Sequence, residues 1–373
     1  MDVEEKIALV KRRPFAEVIT EDELRLLFES NKHPTHYIGF EISGMVHLGT
    51  GLMTAMKIKD FKEAGIKPTI FLADYHAWIN GKLGGDLDRI QQVARGYFKS
   101  AFLSLGLDEG VDFVLASELY EKLGKDYWKD VLYISKSASI ARMLRCTTIM
   151  GRSEKDALDC ASILYPAMQA ADIWALDIDI AHAGIDQRKV HVLSREMSEK
   201  AKRKKVIAIH GHLMTGLTGP GRMDTRFLDS LEKSQKEGID RPVGWARTDE
   251  DIIQMKMSKS KPDSCIFIHD AVEDIERKIK NAYCPPKMLP DNPIMDICQY
   301  ILLRNPDSVF KIERSVKFGG NLELKSFGEL QRAYMQGKLH PMDLKNAVSS
   351  SLSKLLEPSR KYFEKHKELL AQV

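Results

Sequence analysis

Apolar and polar positions alternate between two rhythms over the first 210 residues. Short apolar runs bounded by Pro, Gly or charge predict strands at His36-Tyr37-Ile38-Gly39-Phe40, Pro68-Thr69-Ile70-Phe71-Leu72-Ala73, 111–116, Asp177 to Ala183, and 205–209. Between them, 86–105, 126–145 and 187–203 carry the 3.6-residue spacing of helices. Ahead of the first strand, 3–11 and 21–30 read as short amphipathic helices. Thr20-Glu21-Asp22-Glu23 sets an N-cap before an acidic first turn. A further helix beginning near Gly49 would carry Leu52, Met53, Met56 and Phe61 on one side. Strands alternating with helices of this length indicate a parallel sheet covered on both faces.

The expected fold class is therefore α/β, with a Rossmann-like domain over 1–261 and a smaller, mainly α-helical domain over 262–373. In the latter, 271–282, 293–303, 327–336 and 343–368 read as helices separated by Pro- and Gly-rich turns. The stretch 221–255 is rich in charge and turn residues, lacks periodicity, and reads as an insertion.

Composition narrows the class without deciding it. The 373 residues suffice for two cored domains, and 43% apolar with 29% charged residues is ordinary for a globular protein. A net charge of +3 does not reveal a polyanion partner, although basic groups gathered on one face could still bind one. The five cysteines are scattered with no C-x-x-C pair, against a disulfide framework or structural zinc. We expect no metal site, no signal peptide in MDVEEKIALVKRR, and no apolar run near the roughly 20 residues of a membrane span. This reads as a cytoplasmic protein in a reducing compartment.

Two signatures occur in order. Val46-His47-Leu48-Gly49-Thr50 follows a predicted strand and opens a helix; Lys256-Met257-Ser258-Lys259-Ser260 follows the last predicted strand. At a helix start, unpaired N–H groups favour a phosphate, Gly49 allows close approach, and His47 can donate a hydrogen bond. Lys256 and Lys259 offer mobile positive charge, and Ser258 and Ser260 offer hydroxyl donors. Either signature alone is more often a plain turn or a solvated loop. Both together, in this order, point to a nucleotide.

The pair resembles the HIGH and KMSKS signatures of class I aminoacyl-tRNA synthetases, with Thr50 where the fourth residue is usually His. Tyr37-Ile38-Gly39-Phe40-Glu41, Leu72-Ala73-Asp74-Tyr75-His76-Ala77, Tyr165-Pro166-Ala167-Met168-Gln169-Ala170-Ala171-Asp172-Ile173, Asp186-Gln187-Arg188-Lys189-Val190-His191 and His340-Pro341-Met342-Asp343-Leu344-Lys345-Asn346 resemble the archaeal and eukaryotic branch of tyrosyl-tRNA synthetases. The resemblance runs from about residue 35 to about 358.

It implies activation of L-tyrosine with ATP, Mg²⁺ accompanying the phosphates, and transfer of tyrosine to tRNA(Tyr). His47, Gly49, Thr50, Lys256 and Lys259 would carry the chemistry, with Met257, Ser258 and Ser260 completing the ATP loop. Tyr37 and Asp172 would face the phenol hydroxyl. Tyr165, Gln169 and Gln187 would hold the α-amino group, with Glu41 beside them and Gly39 leaving space. Tyr165, Gln169 and Asp172 share an i, i+4, i+7 helix face, as a common pocket requires. His76 belongs to the same set, although for His76 and His191 a hydrogen-bonded core histidine is as good a reading.

Phe318, His340 and Asp343 resemble the anticodon-reading set, in which an aromatic ring stacks on a base and a carboxylate accepts from guanine. The run Lys200, Lys202, Arg203, Lys204, Lys205 reads more readily as a solvated face than as a phosphate site. A homodimer with its interface around 120–160 is also implied. The alternatives are a tryptophanyl-tRNA synthetase, a catalytically silent RNA-binding relative, and a nucleotidyltransferase of the same fold.

Overall fold

The computed structural model describes residues 1–107, 110–151, 158–219, 255–259 and 261–373. It divides into two compact units, Met1–Leu213 with Pro358–Val373, and Met214–Glu357. The division falls at 213/214. Residues from Met214 onward pair with the second unit's own chain, as where Met257 N–H donates to the Met214 carbonyl at 2.7 Å. Most of the stretch expected as an insertion, and Ser260, lie outside the described residues.

The first unit is built on a six-stranded sheet of order β1-β6-β5-β2-β3-β4: β1 Phe15–Ile19, β2 Thr35–Glu41, β3 Lys67–Ala73, β4 Asp112–Leu115, β5 Ile180–Gly184 and β6 Ile207–Gly211. All neighbours run parallel except β1, which pairs antiparallel to β6. The interior strands are nearly continuous apolar runs, as a sheet covered on both faces demands. β1 was not anticipated. It is half-buried throughout, carries Glu17 mid-strand and is bulged between Phe15 and Glu17, so it lacks the period of a core strand.

The flanking helices match expectation where local chemistry is strong. Thr20 and Glu23 form a reciprocal capping box on Glu21–Ser30. The expected helix 126–145 is instead Lys125–Ser137 and Ile140–Cys146, because Ala138 is extended and Ser139 caps a new start. Between β2 and β5 the chain order reverses, with β3 and β4 on one side and β6 on the other. Open α/β sheets bind ligands at such a switch, outside the carboxyl ends of the strands. β2–β5 pairing is confined to His36–Ile180 and Tyr37–Ala181, which leaves Gly39–Glu41 unpaired on that side.

The second unit is mainly helical, with Val272–Asn281 packed on Pro341–Leu355. It also holds a two-stranded antiparallel hairpin, Phe310–Ile312 with Leu322–Leu324, too short to leave a periodic signal.

The first unit buries several imidazoles. Burial lowers His36 and His76 to about 3 and His210 to about 4, and pushes His182 and His191 well below the usual range. An unfolded chain takes up these protons near pH 6.5 while the native one does not. Stability is therefore full above pH 6.5 and lost as pH falls toward the folded values, by about 2 kcal/mol per imidazole at pH 5. Asp172, pushed up to about 8, works the other way but is a single group. We expect Tm to fall steeply between pH 7 and pH 5; a flat melting profile over that range would contradict the burial of neutral imidazoles.

Candidate functional site

The first signature leaves β2 by a short loop. Its backbone is held by Tyr97, whose hydroxyl oxygen accepts from Val46 N–H at 2.8 Å. Tyr97 is braced in turn by the returning C-terminal segment: its ring lies 5.4 Å from Phe363, and its N–H donates to Gln372 Oε1 at 3.0 Å. Gly49–Met53 is a π-helical turn leading into Thr54–Glu63, a wider turn than the expected α-helical start. His47 Nδ1 accepts from Gly49 N–H at 3.2 Å, and Nε2 lies 2.9 Å from the Thr50 hydroxyl. In a neutral ring that assignment leaves Nε2 as the protonated nitrogen. Thr50 thus contacts the imidazole of its own signature.

A second group of side chains converges around Asp172, which is 1% exposed on the helix Cys160–Ala175. Its Oδ1 accepts from the Tyr120 hydroxyl at 2.7 Å and the Tyr127 hydroxyl at 3.0 Å. Burial pushes its pKa up to about 8 against the opposing pull of these two donors, with the Asp74 charge adding to the rise. His76 Nε2 stands 3.5 Å from Oδ2, but burial keeps the imidazole neutral, so this is a contact and not an ion pair. The His76 ring meets Tyr165 edge-on at 4.6 Å, and its nitrogens have no hydrogen-bond partner.

Tyr37, on β2, is 2% exposed. Burial, with the nearby Asp172 charge, raises its hydroxyl pKa. No described residue hydrogen-bonds to that hydroxyl, nor to Asp172 Oδ2. Gly39 explains the open space: a Cβ there would come within 2.9 Å of the Tyr37 hydroxyl.

The remaining polar residues form a neighbouring network. The Tyr165 hydroxyl donates to Glu41 Oε1 at 3.4 Å, and Asn80 Nδ2 donates to the same oxygen at 2.6 Å. Lys82 Nζ lies 3.5 Å from Glu41 Oε2. Gln169 Nε2 donates to Gln187 Oε1 at 3.1 Å, and Gln187 Nε2 to the Ile149 carbonyl at 3.0 Å. His191, by contrast, is a core residue whose Nδ1 lies 3.1 Å from His210 Nε2. The basic run is occupied locally by ion pairs of Arg203 with Asp130, Lys204 with Asp179 and Lys205 with Glu23.

In the second unit, Lys256 bridges to Thr215 and Met257 is buried, which anchors the loop; Ser264 Oγ donates to the Ser258 carbonyl at 3.1 Å. Lys259 is half-buried beside them. Phe318 ends a 3₁₀ turn, and its side chain lies outside the described residues. His340 caps Pro341–Leu355, its Nδ1 accepting from Met342 N–H at 3.1 Å, and Asp343 sits in the same first turn. Among the described residues, no group of three or more His, Cys, Asp or Glu side chains could hold a metal ion, and no helix is long and apolar enough to cross a membrane. All five cysteines are free.

This geometry can be set beside known proteins. The family model of tRNA synthetases class I (W and Y) matches residues 29–225 and 250–357. A tyrosine–tRNA ligase of Thermococcus sibiricus is 48% identical over 99% of this chain and 97% of its own. The chain belongs to the class I tyrosyl-tRNA synthetases. A second such ligase, from Saccharolobus solfataricus, is 44% identical over 99% of this chain and 95% of its own. The crystal structure of the tyrosyl-tRNA synthetase of Pyrococcus horikoshii complexed with L-tyrosine superposes with a TM-score of 0.89 at 46% identity, covering 100% of this chain and 99% of that one. The Rossmann-like expectation and the family resemblance are both borne out.

Sequence reasoning missed Tyr120, Tyr127 and Asn80. The two tyrosines lie on different helices, Ala116–Leu123 and Lys125–Ser137, separated by Gly124 at φ 52°. Their seven-residue spacing therefore carries no helical meaning. The only signal was the local density of aromatic residues at Tyr120, Tyr127 and Trp128.

Proposed function

We propose that this synthetase activates L-tyrosine with Mg²⁺–ATP, releasing pyrophosphate, and transfers the tyrosyl group to the 3′ end of tRNA(Tyr). The observation that carries the amino-acid assignment is the pair of open groups, the Tyr37 hydroxyl and Asp172 Oδ2. A phenol hydroxyl satisfies both, donating to the carboxylate and accepting from Tyr37. An indole N–H only donates and would leave Tyr37 without a partner, which argues against tryptophan.

The tyrosine carboxylate is already ionised at neutral pH, so its attack on the α-phosphorus of ATP requires no strong protein base. Catalysis comes from positioning and from stabilising charge as pyrophosphate leaves. We assign His47, Gly49, Thr50, Lys256, Met257, Ser258, Lys259 and Ser260 to ATP. Tyr165, Gln169 and Gln187 take the α-amino end, supported by Glu41, and His76 packs against the ring. Magnesium enters with the nucleotide as part of the substrate. A hydroxyl of the terminal adenosine then attacks the activated carbonyl, forming the tyrosyl ester as the mixed-anhydride bond breaks and AMP leaves.

We further assign Phe318, His340 and Asp343 to the anticodon and 262–373 to anticodon binding, and infer a cytoplasmic homodimer. Exposed Trp128, Leu132, Ile140 and Leu144 on Lys125–Ser137 and Ile140–Cys146 support an interface in that region. The RNA assignment is tested by Asp343→Ala. Charging of tRNA(Tyr) should fall about 10-fold or more, the cost of a lost charged hydrogen bond, while tyrosine-dependent pyrophosphate exchange stays at the parent rate. Equal loss in both assays would remove Asp343 from RNA recognition.

A further inference from the structure

Asp172 could meet a ligand with either carboxylate oxygen, and a buried carboxylate free to rotate would discriminate poorly. Here the two oxygens are not equivalent. Oδ1 accepts two hydroxyls, from Tyr120 at 2.7 Å and Tyr127 at 3.0 Å, whereas Oδ2 accepts none and faces the neutral His76 at 3.5 Å. The donors are themselves held in place. Tyr120 and Tyr127 stack with ring centroids 3.9 Å apart and planes 19° apart, and Tyr75 stacks with Tyr120 at a centroid distance of 5.7 Å. Tyr120 and Tyr127 are 4% and 1% exposed, so neither hydroxyl has bulk water as an alternative partner.

We propose that Tyr120 and Tyr127 are positioning residues that set specificity: by occupying Oδ1 together they lock the Asp172 carboxylate in one rotation and reserve Oδ2 for the substrate's phenol. The proposal rests on the tyrosine-pocket reading above and extends it to two residues on other helices. Burial holds Asp172 at about 8 even with these two donors, and a phenol donating to Oδ2 adds the third hydrogen bond that favours the ionised carboxylate. The groups facing Asp172 are Tyr120 and Tyr127 from their two helices, His76 and Asp74 from Asp74–Ile79, Tyr37 from β2 and Tyr165 from its own helix. Of these, only the two stacked tyrosines donate to the carboxylate. Removing them removes the opposition to burial and moves the titration of Asp172 to higher pH.

The test uses the full-length enzyme with Tyr120→Phe, Tyr127→Phe and the double variant, which keep ring volume and stacking. Each single change should raise KM for tyrosine about 5- to 20-fold and narrow the kcat/KM preference for tyrosine over phenylalanine by a similar factor, with kcat at saturating tyrosine and KM for ATP within about 2-fold of the parent. In the double variant, the limb of the tyrosine KM–pH profile that reports carboxylate ionisation should move to higher pH. Unchanged tyrosine KM and pH limb in the double variant would overturn the proposal, as would parallel losses for tyrosine and ATP, which mark general loosening. Asp172→Asn separates the two layers. If it too leaves tyrosine use intact, the pocket reading itself fails; if it disables tyrosine use while the phenylalanine variants are silent, only the positioning role fails.

Discussion

Replacing Asp172 by alanine should raise the KM for tyrosine by about 10- to 100-fold while leaving the KM for ATP near the parent value, from the loss of a hydrogen bond to a charged group at about 1.5–3 kcal/mol. The size follows from burial. The carboxylate is 1% exposed, so water cannot take its place beside the phenol. The same change leaves the Tyr120 and Tyr127 hydroxyls without their acceptor, and a modest drop in Tm should accompany it. Asp172→Asn retains a carbonyl oxygen for those donors and removes the charge. It should therefore fold like the parent and still use tyrosine poorly. Equilibrium binding of tyrosine, measured by calorimetry beside the kinetics, checks both variants, and unchanged affinity in either would displace Asp172 from the pocket.

Lys256→Ala and Lys259→Ala should behave differently. Their ammonium groups are assigned to charge that grows on the departing pyrophosphate, so their loss should appear in rate and not in amino-acid affinity. Single-turnover formation of tyrosyl-adenylate should slow by about 10²- to 10³-fold in each, the usual consequence of removing one transition-state donor. Tyrosine Kd should stay unchanged. Equal losses in rate and tyrosine affinity would point to a structural role for the loop, which Met257 anchors through its buried side chain and its bond to Met214.

The parts of this molecule readable from its sequence were those in which local chemistry and tertiary demand agree. β3 and β6 are apolar runs because both their faces are covered, and Glu21–Ser30 announces itself through its capping box. β1 was illegible because an edge strand with one half-exposed face and a bulge has no period to detect. The π-turns at Gly49–Met53, Ala94–Phe98 and Cys298–Leu302 interrupt otherwise helical patterns and leave apolar spacing nearly intact, so only backbone geometry reveals them. The division at 213/214 was not legible because residues around 214–217 return to the chain near 255–264, a pairing that no linear pattern encodes.

The candidate site was legible in proportion to how it is encoded. Tyr165, Gln169 and Asp172 lie on one helix, where spacing alone suggests a shared face. Tyr120 and Tyr127 reach the same carboxylate from two helices across a Gly124 turn, and only the fold brings them together. His76 and His191 looked equivalent in sequence. The structure separates them, with His76 beside Asp172 and Tyr165 and His191 paired to His210 in the core.

The central claim is that the pair of Tyr37 and Asp172 selects tyrosine for activation. Amino-acid-dependent exchange of labelled pyrophosphate into ATP, without RNA and across all twenty amino acids, tests it most directly. The account predicts exchange with tyrosine alone; exchange driven by tryptophan, or none with any amino acid, would contradict it.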